Sequence, residues 1–88
     1  MKGLTEGRIV HFVLDKGPNS GEHRPAVVVN AFRDQHGFTP EDGRCNLQVF
    51  TDSGEGKYND NLPPLVWETS ILYSEEKEPG TWHWIEQA

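Results

Sequence analysis

The chain has 88 residues, 34% of them hydrophobic and 10% aromatic, and carries a formal net charge of -6. This is enough for a single domain over residues 1–88 with one modest core, and the clustering of the apolar residues excludes disorder throughout. The only cysteine, Cys45, excludes an intrachain disulfide and a thiolate-built zinc site, and without a signal-type segment or an apolar run of about 20 residues a soluble, cytoplasmic protein with no membrane partner is expected.

Five segments read as strands. Residues 8–14, RIVHFVL, are β-branched and aromatic and stop at the turn cluster DKGPNSGE. In this segment Val10 and Phe12 point one way, which leaves His11 facing solvent or a pocket. Residues 25–33, PAVVVNAFR, are nearly continuous in apolar side chains, as a central strand requires, with Pro25 as its opening residue because a strand start tolerates a missing N–H. A polar, turn-rich stretch over 34–44 follows as a surface insertion.

The next strand, NLQVFTD, alternates: Leu47, Val49 and Thr51 share one face, and Asn46, Gln48 and Phe50 the other. Residues 53–64 form a second long loop, LVWETSILY over 65–73 resumes a strand composition, and TWHWIE closes the chain after the Pro79-Gly80 turn. There is no sustained helical period and no internal repeat. The expected fold is therefore all-β: a small, five-stranded, partly open barrel of the SH3-like kind.

The charge is uneven. Residues 1–33 hold Lys2, Arg8, Lys16, Arg24 and Arg33 against Glu6, Asp15 and Glu22, whereas the remainder is strongly acidic. Bulk nucleic-acid binding, which needs several phosphate contacts from Lys and Arg, is not expected of such a chain. A locally basic pocket for one small anion fits this distribution.

The order GRIVHFVL, a turn, then GEHRPAVVV resembles the opening of the MazF/PemK toxin family, with Arg8 where the family carries an acidic residue. The resemblance covers residues 7–29 and implies an SH3-like barrel that cleaves single-stranded RNA without a metal. Under it Arg24 matches the catalytic arginine, Glu22 lies near its acidic partner, and Thr51 matches the hydroxyl that holds the scissile phosphate. The layout as a whole, with GRIVH and RPAVVV in front of a terminal PGTWHW, also resembles small bacteriophage and prophage accessory proteins. That likeness implies a binding protein acting in the cytoplasm of a bacterial host cell, blocking a host defence factor or sequestering a signal.

The site expected from these observations flanks the barrel rim. Arg24 and Arg8 pair the phosphate of a nucleotide-like ligand, Trp82 or Trp84 stacks its base, Asn46 or Gln48 reads its polar edges, and His11 faces the pocket. The two rival readings are the ribonuclease built on Glu22, Arg24 and Thr51, and an SH3-like protein-interaction module whose aromatic patch grips a host protein or a second copy of the chain. No cofactor is expected. His11, His23, His36 and His83 show no metal-ligand spacing, since a site would have to gather them from separate elements, so no metal is expected either.

Overall fold

The computed structural model describes residues 1–86. Strands β1 (Ile9–Val13), β2 (His23–Asn30), β3 (Cys45–Phe50), β4 (Leu65–Ile71) and β5 (Trp82–His83) form one sheet in the order β4-β3-β2-β1-β5. All four neighbouring pairs are antiparallel. The expected all-β, five-stranded, partly open architecture is found, and the sheet does not close into a barrel. Its edges approach through an isolated parallel bridge between Tyr73 and Trp82, supported by Trp82 N–H donating to Leu72 O at 3.0 Å and Ser74 N–H to Trp82 O at 2.9 Å.

The alternation read from the sequence sets the two faces. Val10 and Phe12 of β1, Ala26 and Val28 of β2, Leu47 and Val49 of β3, and Trp82 of β5 are buried together with Leu4, Leu14, Ala31 and Cys45. His11, Pro25, Val27, Gln48 and Trp67 occupy the intervening positions and share the opposite face. β2 begins two residues before the expected start, so Pro25 is its third residue rather than its first. Pairing with β3 starts only at Ala26, and β3 therefore asks no N–H of Pro25. The early start also brings His23 and Arg24 into the sheet.

The Trp82 indole N–H donates to Gly43 O at 2.8 Å, which satisfies its one polar group inside the core. Gly43 is held at φ 74°, and a Cβ there would lie 2.6 Å from Tyr73 Cβ and 3.1 Å from Trp82 Cζ2. Gly43→Ala is expected to destabilise the fold by roughly 2 kcal/mol, combining left-handed strain with overpacking. Gly37→Ala is the control, because Gly37 has φ 83° with nothing within 4 Å. A shift of the urea midpoint no larger for Gly43→Ala than for Gly37→Ala would show that the Trp82 contact carries nothing.

Cys45 opens β3 and is fully buried, and burial pushes its thiol up to about 12. A thiol held neutral and out of solvent is a poor nucleophile. Labelling of the native protein by iodoacetamide at neutral pH is therefore expected to proceed only as fast as the protein unfolds.

Candidate metal centre

Cross-strand register, rather than sequence spacing, assembles the most concentrated group of chemistry-bearing side chains. His11 of β1 lies opposite His83 of β5, and Val13 lies opposite His23 of β2. Residues 11 and 13 are two apart on β1, so His11, His23 and His83 all project from the face opposite the core. The chain then leaves β5 and brings Glu86 back over them. The ring centroids of His11 and His83 are 5.7 Å apart, and those of His23 and His83 are 4.6 Å apart.

The Glu86 carboxylate occupies the centre of this group. Its Oε2 lies 2.6 Å from His11 Nδ1, and its Oε1 lies 2.8 Å from His23 Nδ1 while also meeting His83 Nε2. Lys77 Nζ stands 3.6 Å from Oε1. Burial alone would raise the Glu86 carboxyl, but the N–H of its own residue together with His11 and His83 outweighs this and holds it far below the usual carboxylate range. Burial lowers His83 and so favours its neutral form, the form that ligates a metal. His83 Nδ1 is buried without a hydrogen-bond partner, an orphan group of the kind that calls for an explanation.

One ligand atom from each of His11, His23, His83 and Glu86 lies within 4.8 Å of the others. A zinc-class ion takes His nitrogen and carboxylate oxygen at about 2.0–2.2 Å in a tetrahedron, which places donors roughly 3.4 Å apart. The observed contacts of 2.6 and 2.8 Å are tighter than that, so these donors would move apart by roughly 0.6–0.8 Å to admit the ion. The donor set is chemically suited to it, because imidazole and carboxylate accommodate zinc, cobalt, nickel and ferrous iron.

The remaining residues of the expected anion site are dispersed. Trp82 is 0% exposed and has no face for a ligand; the core is where its bulk is required. Trp84 is half-buried, edge-on to Trp82 at 4.8 Å, with the exposed Arg8 guanidinium stacked on it at 4.7 Å. The two indoles meet each other, so neither is set out as a platform for a base. Arg24 points to the core side of β2, where its Nε and Nη2 donate to the fully buried Asp60 at 2.8 and 2.6 Å. This pairing answers the charge of Arg24 within the protein and removes the cation from which the expected anion site was built.

Asn46 Oδ1 accepts from the Ser70 N–H at 3.0 Å, stapling β3 to β4. Gln48 stays on the outer face opposite Trp67. Of the ribonuclease trio, Glu22 is exposed, Arg24 is paired as described, and the Thr51 hydroxyl donates to Pro63 O. Of the residues expected at the anion site, the structure gathers only His11 into the cluster; His23, His83 and Glu86 are its additional members.

The fold and the site together define a small antiparallel β-sheet protein with a three-histidine, one-carboxylate cluster on its outer face. No protein-family model, curated protein or solved structure matches the chain. Among the described residues no helix is long and apolar enough to cross a membrane.

Proposed function

We propose that this protein binds one divalent transition-metal ion, zinc or a neighbour of zinc, through His11, His23, His83 and Glu86. The carrying observation is that four donors from three strands and the segment after β5 converge within 4.8 Å. Three imidazoles are more than one carboxylate needs for hydrogen bonding, whereas three imidazoles and a carboxylate are the complement of a borderline-soft dication. The reading keeps the binding-protein character expected from the sequence and replaces the nucleotide-like ligand with a cation. It is favoured over the anion and ribonuclease readings because the guanidinium both of them require is paired to Asp60.

Titration of metal-stripped protein with Zn²⁺ in a calorimeter is expected to give saturation at one ion per chain. Co²⁺ is expected to produce the intense visible absorption of a low-coordinate nitrogen–oxygen site. Heat no different from that of a His11→Ala/His83→Ala double variant would show that the histidines hold only Glu86.

A further inference from the structure

We infer that the metal centre keeps a coordination position open to solvent and takes there the oxygen-donor head of a small acid whose apolar body lies along the outer face of the sheet. This inference rests on the metal reading above. Two observations carry it independently of each other.

The first is the unequal burial of the donors. The His83 side chain is 3% exposed, whereas those of His11, His23 and Glu86 are 26%, 34% and 31% exposed. An ion held by these groups is closed off behind His83 and reachable from the side where the other three meet solvent. Four protein donors fill a tetrahedron, so the open position is a fifth one, of the kind a zinc-class ion takes on expanding to five-coordinate, and it needs such an open side.

The second is what borders that open side. His83, His11 and Pro25 form one cross-strand row. The row next to it along β1 and β2 is Ile9 and Val27, and it continues through Gln48 of β3 to Trp67 of β4. Phe50 and Leu65, paired with each other, belong to the same face. Ile9, Phe50, Leu65 and Trp67 are all exposed large hydrophobic residues. Strands repeat at about 4.8 Å, so the shelf runs roughly 15 Å from β1 to β4. Acidic and basic side chains are absent from the Ile9–Val27–Gln48–Trp67 row and the Phe50–Leu65 pair, and Gln48 is their one polar member.

A ligand matched to this surface has two parts. Its head is a carboxylate-like or hydroxamate-like oxygen donor, which exchanges for metal-bound water with no covalent change in the protein. Its body is a flat aryl or short alkyl group that covers Pro25, Ile9 and Val27. The anionic ligand expected from the sequence then has its charge met by the metal rather than by Arg24.

The test uses the full chain loaded with Co²⁺, with acetohydroxamate and benzohydroxamate as probes and the visible cobalt spectrum as readout. Both probes are expected to change the spectrum saturably, with benzohydroxamate binding at least tenfold more tightly. Ile9→Ser, an exposed position whose loss leaves the core intact, is expected to weaken benzohydroxamate about fivefold, the effect of removing some 40 Å² of apolar contact, and to leave acetohydroxamate unchanged. A cobalt spectrum that neither probe alters overturns the open position while leaving metal binding standing. Equal affinities for the two probes overturn the shelf. Absence of a cobalt spectrum overturns the metal reading and this inference with it.

Discussion

Asp60→Ala is expected to lower the stability of the fold by about 3 kcal/mol. Asp60 is fully buried and accepts four hydrogen bonds: two from Arg24, one from Asn19 Nδ2 at 2.9 Å and one from the Asp52 N–H at 2.7 Å. Removing the carboxylate leaves a partly buried guanidinium without its counter-charge and the Asp52 N–H without its acceptor, which costs far more than the pair itself contributes. For a domain of this size the fall in Tm is roughly 12–24 °C. Asp60→Asn, which keeps the size and part of the hydrogen bonding, should fall between wild type and alanine in urea unfolding.

The same group makes stability depend on pH in a definite direction. The Arg24 guanidinium, with Asn19 and the Asp52 N–H, holds the Asp60 carboxyl far below its usual value despite burial. A carboxyl lowered on folding contributes stability that is fully present above its unfolded value, near 3.9, and is lost as pH falls toward its folded value. Acid unfolding of wild type should therefore steepen below about pH 4, and Asp60→Asn should flatten that limb. Equal acid slopes for the two proteins would remove Asp60 as its source.

His83→Ala is expected to weaken Zn²⁺ binding by more than about 100-fold, beyond what loss of an outer-shell partner costs. His83 is the donor best placed to hold an ion, since it is nearly inaccessible and burial favours its neutral form. At a free Zn²⁺ concentration of 100 times the dissociation constant, wild type gains about 2.7 kcal/mol of stability, and the variant gains almost none. Thermal unfolding with and without excess metal, repeated after chelation, reads this directly. Glu86→Gln keeps the shape and removes the charge, so it should retain binding at intermediate strength. If zinc raises the Tm of His83→Ala as much as that of wild type, the ion sits elsewhere.

Much of the fold was legible in the residues. Alternation in RIVHFVL and NLQVFTD puts Val10 with Phe12, and Leu47 with Val49, on one face of each strand, and the structure buries all four. TWHWIE reads as six residues of strand, yet only Trp82 and His83 pair with β1, and the chain beyond them leaves the sheet, with the Glu86 carboxylate meeting His11 and His83. The charged rim before Pro25 was assigned to a ligand, whereas Arg24 alternates to the inner side of β2 and meets an acid 36 residues away. No local pattern announces that pairing, since Asp60 sits among other polar loop residues in YNDN.

The metal-ligand set was hidden for a related reason. The separations between 11, 23, 83 and 86 match no ligand motif, because the spacing that matters is the lateral distance between strands. One signal was present all the same. His11 stands between Val10 and Phe12, and His83 between Trp82 and Trp84; an imidazole flanked on both sides by core residues is forced to the other face of its strand. Knowing that β5 lies beside β1 and β1 beside β2 would have brought the two together, with His23 next to them.

The placement of β5 also orders events in time. His11 and Glu86 are 75 residues apart in the chain, and β2, β3 and β4 pair with one another in a meander whose strands all precede β5. As the polypeptide emerges from a ribosome, that meander and the first two histidines can settle while the other half of the donor set has yet to be synthesised. A product that stops short of residue 86 cannot complete the cluster, so a metal held by all four groups would certify a chain translated through Glu86.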